Sequence, residues 1–157
     1  MTKQRGFTLI ELLVALVLLA LIVTSAAPLL QMTAKRNKEQ QLKKSLWQIR
    51  DAIDDYKQAV DDGRIEKSDE LSGYPTSLNE LVEGVEDAQD PKHKKIYFLR
   101  RIPRDPFIND DLLSNEQTWG LRSYESSFDE PEAGEDVYDV YSLSNGIGIN
   151  QQPYREW

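Results

Sequence analysis

The first feature of the chain is an apolar run from Phe7 to Leu30, preceded by a short polar leader. The clear departures from small or apolar side chains in this run are Thr8, Glu11, Thr24, Ser25 and Pro28. At about 1.5 Å per residue, a helix of this length reaches roughly 36 Å, enough to cross the hydrocarbon core of a bilayer. The pattern therefore predicts a transmembrane helix over residues 7–30.

The helical pattern continues over residues 31–62, where apolar residues recur at alternating spacings of four and three. These residues are Leu42, Leu46, Ile49, Ile53, Tyr56 and Val60. They form one apolar stripe on an otherwise solvated helix. A two-stranded coiled coil would show the same spacing, but fewer than three heptads are present. We expect the stripe to carry a small domain, and Gly63 to end the helix.

Residues 63–157 have the pattern of a small mixed domain. Ser77 and Glu80 match a capping box before a short helix. From Ile96 onward, short alternating segments are separated by turn residues, which is typical of strands in hairpins. The candidate strands are residues 96–99, 101–107, 119–121 and 139–144. We predict an α+β fold in which a long N-terminal helix, its first half transmembrane, packs against a small antiparallel sheet of three or four strands.

Composition limits the chemistry of this chain of 157 residues, which has a formal net charge of −8 and no cysteine. Disulfides are therefore excluded, and so acidic a chain is unsuited to binding nucleic acid. His93 has no second His and no clustered carboxylates near it in the sequence, so we expect a surface residue and no metal centre. No catalytic triad, phosphate loop or thiol nucleophile is present, and we expect no catalysis.

Glu11 is the residue that an ordinary membrane anchor does not explain, because a charge at that depth costs roughly 3 kcal/mol or more. Three interpretations remain open. A cleaved secretory signal would use the small residues 25–27, but Pro28 and Glu11 fit it poorly. An uncleaved anchor with residues 1–6 in the cytoplasm gives the carboxylate no purpose unless it snorkels. In the third interpretation, Glu11 has a partner in another subunit.

The segment from Lys3 to Leu12, Lys-Gln-Arg-Gly-Phe-Thr-Leu-Ile-Glu-Leu, resembles the signature of the type IV pilin and pseudopilin superfamily. This resemblance implies that residues 1–6 are a leader, which a prepilin peptidase removes between Gly6 and Phe7. It also implies methylation of the new Phe7 amine, and pairing of Glu11 with that amine on a neighbouring subunit.

Three later segments resemble the major pseudopilins of type II secretion systems: residues 102–107 (Ile-Pro-Arg-Asp-Pro-Phe), residues 141–143 (Tyr-Ser-Leu) and the closing stretch with Gly146 and Trp157. The resemblance implies a subunit of a secretion pseudopilus in the inner membrane, with residues 63–157 in the periplasm. Its implied partners are further copies, sibling pseudopilins, the prepilin peptidase and the inner-membrane secretion platform. The alternatives are a type IV pilus subunit for adhesion, motility or DNA uptake, and a single-span binding module that does not polymerise.

Pro28 lies where the superfamily commonly has a proline. A proline inside a helix removes one backbone hydrogen bond and kinks the helix. A helix kink at Pro28 and the simple end of the membrane span both remain open.

The resemblance also implies a calcium site, because the family carries several aspartates in the loop after the Ser142–Leu143 pair. Calcium prefers six to eight oxygen ligands that include carboxylates. Here residues 144–153 offer amides and main-chain carbonyls, with no carboxylate before Glu156. We expect no cofactor, and Asn145 and Asn150 are the weak candidate ligands if calcium binds.

Overall fold

The computed structural model describes residues 6–66 and 72–157, without the side chains of residues 25–27. Leader residues 1–5 and the side chains of the alternative cleavage site at 25–27 therefore lie outside the described residues. The chain divides into two compact units, residues 1–37 and residues 38–157.

Helix α1 runs from Leu9 to Asp61, which confirms the long N-terminal helix. Pro28 lies inside it, so the helix continues past this residue, and a kink there stays a prediction. After the helix ends, Gly63 adopts a φ of +71°, a left-handed conformation that glycine reaches without a steric penalty. The amide of Gly63 donates to the Val60 carbonyl at 2.9 Å, which caps the end of the helix.

In the first unit, helix α1 exposes its apolar side chains. Ile10, Leu16, Ile22 and Leu29 are each more than half exposed. Among the described residues, α1 is the one helix long and apolar enough to cross a membrane. Apolar area of this kind is stable only when lipid or another apolar surface covers it.

In the second unit, the apolar stripe of α1 is buried, as predicted. All six stripe residues belong to the core, from Leu42 to Val60. The later chain covers them with Leu78, Leu81, Leu99, Ile102, Trp119, Val137, Val140 and Tyr154. Because burying one such side chain is worth about 1.5–3 kcal/mol, the stripe holds the domain on the helix.

Within residues 72–157, the chain forms two separate antiparallel sheets, each with two strands. The elements are helix α2 (Glu80–Glu83) and strands β1 (Val85–Glu86), β2 (Lys95–Ile96), β3 (Trp119–Arg122) and β4 (Asp139–Ser142). Strand β1 pairs with β2, and β3 pairs with β4. In the second pair Trp119 lies opposite Ser142, and Arg122 lies opposite Asp139. The predicted α+β class is confirmed.

The prediction of a single sheet with three or four strands is wrong, and residues 101–107 form no strand. Pro103 and Pro106 have no N–H to give to a strand partner. The side chain of Asp105 accepts the amide of Phe107 at 2.8 Å, which turns the chain instead.

The predicted short helix is present as α2, but its cap differs from the predicted one. Oε2 of Glu80 accepts the amide and the hydroxyl of Thr76, at 2.8 and 3.1 Å. The Ser77 hydroxyl accepts the Glu80 amide only at 3.4 Å. Oε1 of Glu80 also accepts the Tyr56 hydroxyl at 2.9 Å, so the Glu80 carboxylate ties α2 to α1.

Candidate functional site

The start of helix α1 is closed by a capping box between Thr8 and Glu11. Oε2 of Glu11 accepts the Thr8 amide at 2.9 Å and the Thr8 hydroxyl at 2.8 Å. The Glu11 amide in turn approaches the Thr8 hydroxyl oxygen at 3.4 Å. Thr8 is thus the N-cap and Glu11 the third helical residue, the spacing at which such pairs satisfy free amides.

The predicted processing residues lie directly before this cap. Gly6 and Phe7 precede the helix, and both are exposed, with Phe7 at 88%. A side chain added at Gly6 would meet no atom within 4 Å. Gly6, Phe7 and Glu11 therefore lie together in one short, accessible stretch at the N-terminal end of helix α1.

The electrostatics at Glu11 are those of an anion at the positive end of a helix. The dipole of α1 favours a carboxylate in its first turn. Glu11 takes part in none of the ion pairs found between described residues. The carboxylate is therefore held in place by neutral donors, and a cation from another molecule would add charge compensation that this turn lacks.

The predicted calcium candidates lie in a loop without a carboxylate. Asn145 and Asn150 are both exposed, and Oδ1 of Asn150 already accepts the Gln152 amide at 3.2 Å. Among the residues that the structure describes, no group of three or more Asp, Glu, His or Cys side chains could hold a metal ion. His93 is exposed on the surface, 4.0 Å from Glu86. The donor set near Asn145 and Asn150 does not fit calcium.

Sequence reasoning missed three polar residues that organise the second unit. Glu39 is 9% exposed and Asp105 is fully buried. The Arg50 guanidinium donates to the Asp139 carboxylate and to the main-chain oxygens of Val140 and Trp157. The sequence pattern had placed Arg50 among the solvated charges. One signal was available for Glu39, because it lies three residues before Leu42 and is in phase with the apolar stripe.

The start of the chain, which includes the predicted processing residues, matches a known protein family. The family described as "Prokaryotic N-terminal methylation motif" matches residues 1–27, which include Gly6, Phe7 and Glu11. No solved structure matches the chain.

Several curated relatives carry the name "Type II secretion system core protein G". The one from Klebsiella pneumoniae is 31% identical over 122 residues, which cover 74% of this chain and 79% of the relative. The one from Escherichia coli strain K12 is 29% identical over 147 residues, or 90% of this chain and 94% of the relative. The one from Vibrio cholerae is 28% identical over 113 residues, 70% of each chain.

These matches extend well beyond the first helix and into the segments that resembled major pseudopilins. The names of these relatives are those of a secretion-system component, and the long apolar helix fits a membrane-anchored protein. The motif-based resemblance is therefore confirmed, and the chain belongs to the family of type II secretion system core protein G.

Proposed function

We propose that this chain is a structural subunit of a type II secretion pseudopilus. It waits in the inner membrane as a single-pass protein with residues 63–157 in the periplasm. Prepilin peptidase removes residues 1–6 and methylates Phe7. The mature subunit then joins further copies and sibling pseudopilins on the inner-membrane platform, in a helical fibre that promotes export of folded proteins.

The observation that carries this proposal is the position of Glu11, held at the first turn of α1 by Thr8. Cleavage after Gly6 would create an α-amine on Phe7, whose unperturbed pKa of about 7.7–8.0 leaves it largely cationic near neutral pH. A buried carboxylate and a buried ammonium offset each other's loss of hydration, whereas either one alone is strongly penalised. Glu11 is thus suited to receive the Phe7 amine of an incoming subunit.

The exposed apolar surface of α1 supports the same proposal. The exposed apolar side chains of this helix, such as Leu9, Ile22 and Leu30, need an apolar environment throughout the life of the subunit. Lipid supplies it before assembly, and helices of neighbouring subunits supply it in a fibre. A transfer from membrane to fibre core therefore leaves the apolar area covered, while the Glu11 carboxylate gains a cation.

A structural role also agrees with the names of the relatives, which are those of a secretion-system core protein and not of an enzyme. The acidic net charge of −8 gives no general attraction for nucleic acid. We accordingly assign no catalytic step and no nucleic-acid partner to this chain.

The test is to express the chain in a type II secretion strain that lacks its own G subunit. Intact-mass analysis of the purified subunit should find Phe7 as the first residue, carrying one methyl group, and export of the secreted proteins should be restored. Glu11→Ala should abolish restoration while the subunit still enters the membrane.

Other outcomes contradict the proposal in distinguishable ways. A mature chain that starts at Pro28 would identify ordinary secretion. An unprocessed chain in a fully restored strain would remove the role given to the Phe7 amine. Processed subunits that form surface fibres without restoring export would identify a pilus subunit for adhesion, motility or DNA uptake, and processed subunits that never assemble would identify a single-span binding module.

A further inference from the structure

The C-terminal segment, residues 144–157, folds back on itself through its own backbone. The amide of Gly148 donates to the Gln152 carbonyl at 2.8 Å, and the amide of Tyr154 donates to the Gly146 carbonyl at 3.1 Å. Gln151 adopts a φ of +66° between them, so the chain reverses within a few residues. Tyr154 and Trp157 of this segment pack against the core of the domain.

Glu39 of helix α1 adds a polar attachment to this packing. Its Oε1 accepts the Ile149 amide at 2.9 Å and the Tyr154 hydroxyl at 2.9 Å. The two donors lie on opposite sides of the chain reversal, so one oxygen atom joins both arms of the loop to the helix. Glu39 is 9% exposed and Tyr154 is 2% exposed, so these hydrogen bonds are largely shielded from water.

An aromatic row extends this attachment along the helix. The ring of Tyr154 stacks on Phe107 at 4.1 Å between centroids, and its other neighbour is Trp157, at 5.1 Å and nearly perpendicular. Lys43 lies over the Trp157 ring, with its Nζ 4.5 Å from the centroid, and Lys38 lies over Phe107 at 5.7 Å. Both lysines belong to α1, Lys38 one residue before Glu39 and Lys43 four residues after it, so the same stretch of helix that holds the loop also contacts the aromatic row through charged groups.

In a cation site the loop would supply oxygen ligands, whereas in these contacts the loop supplies hydrogen-bond donors. A calcium ion would require the loop to turn oxygen atoms inward, with carboxylates among them. Here the loop turns an N–H and an O–H inward, and the carboxylate comes from the helix. The loop itself has no Asp or Glu between Ser144 and Arg155.

We propose that Glu39 is the positioning residue of the C-terminal segment, and that the segment keeps its shape without the calcium ion that the family resemblance implied. Hydrogen bonds to a charged carboxylate are roughly twice as strong as those between neutral groups. One buried carboxylate with two donors therefore holds both arms of the loop. This inference concerns the folded domain and does not depend on the proposed role in assembly.

The test uses the full chain in detergent micelles, with saturating calcium in one arm and EGTA in the other. Thermal unfolding reports the whole domain, and hydrogen exchange of the Ile149 amide reports the loop alone. For the wild-type chain we expect the same Tm and the same Ile149 protection in both arms. Glu39→Gln should lower Tm by about 5 °C and speed Ile149 exchange at least tenfold, with no recovery in calcium. Asp55→Asn neutralises an exposed carboxylate of the same helix and should change neither.

Two results would overturn the proposal. Slower Ile149 exchange or a higher Tm of the wild-type chain in calcium would show that the segment binds the cation. Equal behaviour of Glu39→Gln and Asp55→Asn would remove the positioning role from Glu39.

A second variant tests the proposal if Glu39→Gln does not fold. Tyr154→Phe removes one of the two donors and should speed Ile149 exchange by a smaller factor. Unchanged exchange in that variant would count against the proposal.

Discussion

Thr8 and Glu11 hold each other at the first turn of helix α1, where one carboxylate oxygen of Glu11 accepts both the amide and the hydroxyl of Thr8. The Thr8 amide is one residue beyond the bond between Gly6 and Phe7, so cleavage there would leave this arrangement intact. The mature chain would thus keep an oriented carboxylate in the first turn of its helix.

The first prediction separates the charge of Glu11 from its orientation. Glu11→Ala should abolish fibre formation, because an incoming amine would have no anion to pair with. Thr8→Ala should reduce fibre yield several-fold, since losing an N-cap costs about 1 kcal/mol and frees the carboxylate to turn away. Thr33→Ala is the matched control, because that hydroxyl donates to the Leu29 carbonyl inside the helix. Immunoblots of sheared fibres and of membranes give the measurement, and equal yields from the two threonine variants would refute the role of the cap.

The second prediction concerns Asp105, a fully buried carboxylate at the join between the 101–107 loop and the second sheet. Its Oδ2 accepts the Ser142 hydroxyl at 2.5 Å, and its Oδ1 accepts the Phe107 amide at 2.8 Å. Asp105→Ala leaves the buried Ser142 hydroxyl and the partly buried Phe107 amide without this acceptor, at about 1–3 kcal/mol for a fully buried donor and less for a partly buried one. We expect a loss of about 3 kcal/mol in the free energy of unfolding, measured by denaturant titration. The exposed Asp111→Ala should be neutral, and a similarly small loss at Asp105 would contradict this account.

The third prediction is the pH dependence that Asp105 imposes. Burial raises the pKa of its carboxyl, although hydrogen bonds from Ser142 and Phe107 work in the opposite direction. A raised folded-state pKa means that the folded chain binds the proton more tightly than the unfolded chain. The stabilisation is therefore complete below the unfolded pKa of about 3.9 and is lost as pH rises through the folded value.

Asp105→Asn isolates this effect, because the amide does not titrate and can still accept the Phe107 amide through its oxygen. The difference in unfolding free energy between wild type and Asp105→Asn should shift in favour of the variant as pH rises from about 4 toward neutrality. Thermal unfolding at a series of pH values measures it. A constant difference across that range would mean that Asp105 has an ordinary pKa.

The sequence predicts the parts of the structure that depend on residues close together in the chain. It does not predict contacts between residues that are far apart in the chain. The stripe from Leu42 to Val60 repeats with the helical period, so both the helix and its buried face follow from neighbouring residues. Strands β1 and β2 have two residues each, which is too short for an alternating pattern to identify them. Arg50 carries a charge at a position that a periodicity argument assigns to solvent, and its partners lie about ninety residues away.

The functional residues also differ in how far the sequence alone identifies them. Glu11 could be singled out because its chemistry conflicts with its apolar neighbours, and that conflict is visible in the sequence. Glu39 is in phase with the apolar stripe, which indicates a position facing the domain, but its basic neighbours in the sequence do not identify its partners. Its role depends on donors from Ile149 and Tyr154, which only the folded chain brings to it.

The fourth prediction uses Tyr154 to follow the C-terminal segment at alkaline pH. Burial, with the hydrogen bond and the charge of Glu39, raises the pKa of Tyr154 to about 12. Because this value lies above the ordinary value of about 10, the stabilisation is complete below pH 10 and is lost as pH rises toward 12. The loss should reach about 3 kcal/mol at most. Tyr154→Phe should be less stable at neutral pH and should lack this part of the alkaline decline, as measured by thermal unfolding between pH 8 and pH 12.

The last prediction concerns Arg50, which ties helix α1 to strand β4 and to the end of the described chain. Its Nε donates to Oδ1 of Asp139 at 2.7 Å, and one terminal nitrogen donates to the main-chain oxygens of Val140 and Trp157, at 3.1 and 2.9 Å. The side chain is 34% exposed, so solvent screens the ion pair and its charge alone contributes little.

The directional hydrogen bonds of Arg50 should therefore outweigh its charge. We expect Arg50→Ala to lower the free energy of unfolding by about 2 kcal/mol, and Arg50→Lys by nearly as much, because an ammonium cannot reproduce the fork of a guanidinium. Lys44→Ala, at an exposed position of the same helix, should cost almost nothing. Denaturant titration of the three variants measures these differences. If Arg50→Lys were as stable as wild type, a point charge at this position would be sufficient. The geometry of the three hydrogen bonds would then have no energetic role.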